Sequence, residues 1–360
     1  MAVVATYSIN ILITFCCCFT PLLGDDIEKG GNVASQSTSV TLLAGLVACI
    51  CVLALIKYYC GGGVCKSNAR LDGKTAIITG SNSGIGKETA LDFAKRGARV
   101  ILACRDEKKA SEAAKDIVSE TGSDKVIVRV LDLASFESVR AFAKLINETE
   151  ERVDILVNNA GVGPGPLQIT KDGYESIFQV NYLSHFLLTL LLLEKIKKSA
   201  PSRIVNVSTN AHTFPFLKVR LDDFKPTEES FNSYTRCFES KLAQVVFTKE
   251  LSRRLEGTGV TVCALHPGGV ATEIWRNWKL FTNPFTKPLI RIITFLFFKT
   301  SKQGAQTTIY CSVAEELANI SGLYYMDCKV KECSKLAKDP DLAKKQWEVS
   351  ERLTGEFWKD

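Results

Sequence analysis

From Lys74 onward, short runs of β-branched and aliphatic residues alternate with segments whose apolar positions recur at the helical period. The runs fall at Thr75–Thr79, Arg99–Ala103, Val126–Val130, Asp154–Val157, Arg203–Val207 and Val260–Leu265, each short and apolar enough to be a strand buried on both faces. Between them lie amphipathic stretches such as Lys87–Arg96, which Gly97 closes at the position past a helix end where a left-handed residue is favoured. This alternation predicts an α/β fold: a doubly wound parallel sheet covered by helices on both faces, forming a single domain over residues 70–350. No internal repeat and no linker interrupts that region.

The first seventy residues follow other rules. Ala2–Leu23 is apolar without a Lys or Arg and ends at Gly24 before Asp25-Asp26-Ile27-Glu28. Residues 1–24 read as a signal peptide or a first membrane span: the missing basic start argues against the former, and the small residue before the polarity switch argues for it. A polar linker occupies 25–39. The uncharged run Val40–Ile56 then leads to Lys57-Tyr58-Tyr59, so 40–59 is expected to be a transmembrane helix with its tyrosines at the headgroups. Lys57, Lys66 and Arg70 follow the span, whereas Asp25, Asp26 and Glu28 precede it. The positive-inside tendency therefore places the large domain in the cytosol. The sequon Asn206-Val207-Ser208, set inside a predicted core strand, is tolerable there and awkward in a lumen.

Composition adds limits. In 360 residues, 46% hydrophobic and 23% charged positions leave ample material for a core. The net charge of +6 is scattered, with no basic run interleaved with aromatics, so nucleic acid is not an expected partner. The 13 cysteines are spread without metal-ligand spacing and only 3 histidines accompany them, so reduced thiols and no metal site are expected. Cys60 and Cys65 are unspecific candidates for palmitoylation.

The chemistry begins after the first strand, in Thr79-Gly80-Ser81-Asn82-Ser83-Gly84-Ile85-Gly86. Glycines at this spacing let the backbone turn tightly and approach a pyrophosphate, whose charge meets the N-terminus of the next helix. After the first strand of a doubly wound pattern, the loop makes the fold Rossmann-type and predicts a dinucleotide. The second strand ends in Cys104-Arg105-Asp106. Cysteine stands where an acid would bind the adenosine ribose hydroxyls, and Arg105 follows, so NADP(H) is favoured over NAD(H). An inward-turned Asp106 would reverse that preference.

Together with Asp132-Leu133, Asn158-Asn159-Ala160-Gly161, Asn181, Ser240-Lys241 and Pro267-Gly268, this loop occurs in the order and spacing of the short-chain dehydrogenase/reductase family. Within it, runs such as Gly61-Gly62-Gly63-Val64-Cys65, Arg96-Gly97-Ala98-Arg99-Val100 and Gly304-Ala305-Gln306-Thr307 most resemble the membrane-anchored retinol dehydrogenases. The resemblance runs from about Gly61 to Trp347 and implies roles for the matching positions. Gly80–Gly86 and Arg105 would hold the cofactor phosphates, and Asp132 would bond the adenine amino group. Asn159 would lie in the turn that touches the ribose, and Pro267 and Thr272 would flank the nicotinamide. Asn181 would hold a relay water. Lys241 would bind the nicotinamide ribose and depress the pKa of a tyrosine one turn earlier, which with a serine would move the substrate proton.

Two of these parts differ. Thr209 stands at the serine position and keeps a hydroxyl. Cys237 stands four residues before Lys241, where the tyrosine belongs. A free thiol has a pKa of about 8.5 against about 10 for tyrosine, and Lys241 is expected to lower it further. Reach is the harder problem, since the sulfur falls roughly 3 to 4 Å short of a tyrosyl oxygen. Tyr234 shares the helical face but begins one turn too early.

Trp275 to Lys299, with Trp278, Phe281, Phe285 and Phe295-Leu296-Phe297-Phe298 beside Lys287, Arg291, Lys299 and Lys302, is expected to be a hydrophobic lid that dips into the membrane interface. A packed core helix or a homodimer contact is the other reading of this segment. The sequence thus points to a membrane-bound NADP(H)-dependent oxidoreductase on a lipophilic retinoid- or steroid-like alcohol or carbonyl, in the endoplasmic reticulum membrane. The alternative is a catalytically impaired cofactor-binding scaffold.

Overall fold

The structure is a computed structural model that describes residues 33–270 and 293–359, apart from 219, 222 and 223. Its first element is helix α1 (Val33–Gly61). This helix begins inside the polar linker expected up to residue 39, because the Ser-rich stretch there contains no Gly or Pro to stop it. Leu43–Gly61 is long and apolar enough to cross a bilayer, and no residue from Leu43 to Cys60 is buried. The chain divides into two compact units, Met1–Leu55 and Ile56–Asp360.

The second unit holds β1 (Thr75–Thr79), α2 (Gly84–Lys95), β2 (Arg99–Cys104), α3 (Glu107–Thr121), β3 (Val126–Val130), α4 (Phe136–Thr149) and β4 (Ile155–Asn158). It continues through α5 (Ser176–Lys198), β5 (Ser202–Val207), α6 (Ser233–Arg254), β6 (Val260–His266), α7 (Ser301–Val313), β7 (Leu323–Met326), β8 (Lys329–Lys331) and α8 (Pro340–Thr354). One sheet takes the order β3-β2-β1-β4-β5-β6-β7-β8, with β8 alone antiparallel. β7 and β8 escape the sequence pattern because β7 is a four-residue run and β8 is an exposed Lys-Val-Lys edge.

Successive strand residues point to opposite faces, and the two cores follow that alternation. Ile77, Ile101, Leu156, Ile204 and Val262 pack with Phe142, Phe186, Phe247 and Trp347 on one face. Ile78, Val100, Leu102, Val157, Val205 and Leu265 pack with Phe93, Ala305 and Ile309 on the other. α5 also has the length and apolarity of a membrane span, yet 78% of it is buried, so it is a core helix. The strand order reverses between β1 and β4, and the carboxyl ends of these strands open the crevice where a doubly wound sheet binds its ligand.

Thr272 and most of the expected lid, including Trp275, Trp278, Phe281, Phe285, Lys287 and Arg291, lie outside the described residues. At its described end Ile293 and Phe295 are exposed and Phe298 is buried. Lys57 Nζ donates to the Phe298 carbonyl at 2.8 Å and sits 5.3 Å from the Phe295 ring centre. Lys299 corrects its reading as a basic residue facing the membrane: it is buried, pairs with Asp327 and donates its backbone N–H to the Gly269 carbonyl. A buried ammonium needs such a partner, and the sequence could not name one so far along the chain.

Candidate active site

Gly80 (φ +65°) and Gly84 (φ +58°) take left-handed backbone in the loop from β1 into α2. A Cβ at Gly86 would come within 2.5 Å of the Gly80 carbonyl oxygen and 2.6 Å of Asn159 Nδ2, so only glycine closes the loop. Ser83 is extended at the helix start and its side chain makes no cap, which leaves first-turn N–H groups of α2 facing the crevice. Ser81 Oγ instead donates to the Ile78 carbonyl, Asn82 is half-buried, and Ile85 packs against the helix α7 side of the sheet. The donor set and the glycine cradle fit a pyrophosphate.

At the end of β2 the Cys104 thiol is buried against this loop, 3.6 Å from Ser81 Oγ. Asp106 does not turn inward: its carboxylate caps α3 by accepting the Lys109 N–H at 3.1 Å. Arg105 is exposed at the crevice rim. Asp132 uses Oδ1 to accept the Ala134 N–H. Asn159 donates through Nδ2 to the Thr79 carbonyl at 2.8 Å, pinning the β4 turn to the glycine loop. Asn158 is tied across the sheet to Asn206, which bonds Thr248, so the sequon asparagine is wholly engaged in the core.

The Thr79 hydroxyl accepts the N–H groups of Asn159 and Ala160 and turns its proton toward His185 Nε2 at 2.9 Å, with the Val157 carbonyl farther off at 3.4 Å. His185 Nδ1 then faces the Asn181 carbonyl at 3.2 Å, and burial drives this imidazole's pKa down to about 3. Asn181 lies in a π-turn, Gln179–Leu183, at the start of α5. Such a turn frees a carbonyl from the helical ladder. Here Gln244 Nε2 takes it at 2.5 Å, so the relay water expected at Asn181 would share that oxygen with Gln244 and His185. The Asn181 side chain bonds Val162 N and O at 2.8 and 3.1 Å and Ser240 Oγ at 3.0 Å. It ties the β4 turn to α6.

Lys241 is buried on α6 and donates to the Val207 carbonyl at 2.8 Å. Desolvation lowers its pKa from 10.5 to about 8, so its proton is easily shared. Thr209, just past β5, is half-buried and uses its hydroxyl to accept the Ala211 N–H, while its carbonyl binds His212 Nδ1 at 2.7 Å. Pro267 is buried at the end of β6. Tyr234 is 42% exposed at the first turn of α6, so it does not replace the missing phenol.

Cys237 overturns one expectation. Its thiol is buried, 3.9 Å from the Val162 carbonyl, and desolvation raises its pKa from 9.0 to about 11 against the lowering by Lys241. Burial wins because a thiolate here would lose water on all sides, while Lys241 is itself only partly charged near pH 8. The folded chain therefore keeps the thiol proton longer than the unfolded chain, and stability from this group is lost as pH rises between about 9 and about 11. Lys241 acts oppositely, because it sheds its proton near pH 8 when folded and stability rises toward pH 10.5. The two contributions offset, so thiol reactivity is the better readout. At pH 8 native Cys237 is expected to react with iodoacetamide about 100-fold slower than in urea, climbing tenfold per pH unit up to pH 10. A native rate that levels off near pH 9 would contradict the raised pKa.

The residues that surround this position come from distant parts of the chain. Glu175 is fully buried, caps α5 through the N–H groups of Ile177 and Phe178, and pairs with Arg236 at 3.2 Å. Arg236 also meets Glu239 at 3.4 Å and lies 4.4 Å from the Phe178 ring, and Glu239 binds Arg220 at 2.9 Å. The only available signal was charge on a helix, α6, whose every face is buried in this stretch.

Residues 74–220 match the profile of the short chain dehydrogenase family. The chain is 50% identical over 301 residues to human (Homo sapiens) retinol dehydrogenase 13, covering 84% of this chain and 90% of that one. The chain belongs to the short-chain dehydrogenase family. Mouse (Mus musculus) retinol dehydrogenase 12 is 44% identical over 311 residues, covering 84% and 93%. Among solved structures, an uncharacterised protein from Mycobacterium paratuberculosis superposes with a TM-score of 0.66 at 31% identity, over 83% of this chain and all of that one. A protein described as an NAD(P)-dependent gluconate 5-dehydrogenase from Beutenbergia cavernae, with NADP bound, gives 0.58 at 25% identity over 72% and 96%. Short-chain dehydrogenases bind a nicotinamide cofactor, and the glycine loop, the turn at Asn159 and buried Lys241 meet that requirement.

Proposed function

We propose that this short-chain dehydrogenase is a membrane-bound, NADP(H)-dependent oxidoreductase of the retinol dehydrogenase type that reduces the carbonyl of a lipophilic, retinoid- or steroid-like substrate. The observation that carries the reading is the cofactor crevice around Gly80–Gly86, complete down to glycine-only contacts. The names of the relatives support the substrate class, and the apolar run Leu43–Cys60, none of it buried, supports membrane attachment. The charges flanking α1 favour a cytosolic large domain, and the signal-like start together with retinoid-type chemistry favours the endoplasmic reticulum membrane.

NADP(H) is favoured because the adenosine end offers a thiol and a guanidinium where NAD(H) would need a carboxylate, and Asp106 is committed to its helix cap. Arg105→Glu is expected to weaken NADPH binding by about 10 to 100-fold, through loss of one charge-assisted contact, and to leave NADH binding nearly unchanged. Fluorescence titration of both cofactors measures this, and an equal loss for both would remove Arg105 from the phosphate site.

When bound, the nicotinamide supplies hydride to the substrate carbon. Within this chain, Gly80–Gly86 and Arg105 bind phosphate, Asp132, Asn159, Pro267 and Thr272 position the remaining cofactor, and Asn181 fixes the turn beside Lys241. Thr209 polarises the substrate oxygen by donating its hydroxyl proton. Cys237 and Lys241 are the available sources of the proton. A thiol of pKa about 11 is a sufficient acid toward a developing alkoxide but carries only about one thiolate in ten thousand at pH 7, so reduction is favoured over alcohol oxidation. Membranes bearing the protein should consume NADPH when given all-trans-retinal. The second reading, an impaired cofactor-binding scaffold, is favoured by the short reach of Cys237 and its thiol lying toward Val162.

A further inference from the structure

The turn between β7 and β8 is made by Asp327 and Cys328, whose φ angles of 54° and 57° are both left-handed. A two-residue turn of this kind prefers glycine at its second position, because a Cβ there crowds the backbone. Cys328 thus occupies a place that backbone energetics would give to glycine. It is half-buried and lines an open cleft of 620 Å³ together with Gly63, Val64, Ser67 and Lys329.

A second half-buried cysteine, Cys65, approaches the same spot from the segment after α1. Its N–H donates to Gln306 Oε1 at 3.1 Å, and the Cys328 thiol donates to the Gln306 carbonyl at 3.6 Å, so the two cysteines bracket one residue of α7. Gly63 lies so close to the Asp327 carbonyl that no Cβ would fit between them. Burial raises the Cys328 pKa to about 11, and the neighbouring Cys65 adds to the rise. Both thiols are free.

We propose that Cys65 and Cys328 are a two-electron redox pair that a hydroperoxide converts to an intrachain disulfide. The Cys65 sulfur, whose pKa burial raises less than that of Cys328, attacks hydrogen peroxide, whose O–O bond breaks, giving the sulfenic acid and one water. The Cys328 sulfur then forms the S–S bond and expels the hydroxyl as a second water, so the two thiols are oxidised and the peroxide reduced. Rotation of the Cys328 side chain away from Gln306 makes the approach. The bond staples the juxtamembrane segment to the hairpin whose Asp327 holds Lys299, the residue that secures Gly269 beyond β6. In a reducing compartment such a bond is transient and serves as a sensor.

The test uses the full-length protein in membranes, reduced, treated with hydrogen peroxide at pH 8.5, and blocked with N-ethylmaleimide before peptide mass spectrometry. The expected result is a Cys65–Cys328 cross-linked peptide that dithiothreitol reverses and that Cys65→Ser and Cys328→Gly both abolish. Cys328→Gly suits the left-handed turn, so an unchanged melting temperature for that variant separates loss of the thiol from loss of the fold. Recovery of both cysteines as maleimide adducts would overturn the proposal, as would a link confined to the buried Cys263 and Cys311.

Discussion

Replacing Cys237 by tyrosine is expected to raise NADPH-dependent reduction of all-trans-retinal by about 100-fold or more, because it restores a positioned general acid worth about 10² to 10⁴ in rate. Lys241 is already in place one turn away, buried and with its pKa lowered to about 8. A tyrosyl oxygen would extend past the Cys237 sulfur, which now stops beside the Val162 carbonyl. Overpacking by the ring could cost about 1 to 3 kcal/mol of stability, so melting should be followed alongside turnover. Equal, robust activity in wild type and variant would mean that the thiol, or Lys241 with Thr209, already does the tyrosine's work. Activity in the variant alone would make the natural protein a cofactor-binding scaffold. If neither form binds NADPH, both readings fall.

Glu175→Ala is expected to destabilise the large unit by about 3 to 5 kcal/mol, the cost of breaking a buried ion pair by removing one partner. Two effects add here. Arg236 loses one of its buried counter-charges, and the N–H groups of Ile177 and Phe178 lose the carboxylate that caps them. At a few degrees per kcal/mol, the melting temperature should fall by about 10 °C. Glu175→Gln keeps a capping oxygen and should lose less. A drop below about 2 °C for the alanine variant would show that Arg236 is held by its other partners. Because Arg236 precedes Cys237 on α6, the same variant should also loosen the thiol, seen as faster alkylation at pH 8.

How much of this was readable from the chain depends on the range of the forces involved. The strands from Thr75 to His266 and the glycine loop were legible because their signals are local: β-branched runs, helical periodicity, and left-handed turns that only glycine adopts cheaply. Cys104-Arg105-Asp106 was legible as a place of cofactor choice. Which way Asp106 turned was not, since a helix cap and a ribose contact compete for the same carboxylate. The β7–β8 hairpin was missed because its strands are too short to show a period.

Local patterns along the chain carry the fold, the family and the absence of a tyrosine four residues before Lys241. What that absence means comes only from the folded surroundings. Whether Cys237 is acidic depends on how many waters the surrounding elements exclude, and burial overrides the ammonium that adjacency in sequence made prominent. Glu175 and Arg236 are 61 positions apart, Lys299 and Asp327 are 28 apart, and Cys65 and Cys328 share only their bonds to Gln306. Desolvation and charge pairing act through space, so they become definite only when the chain has folded.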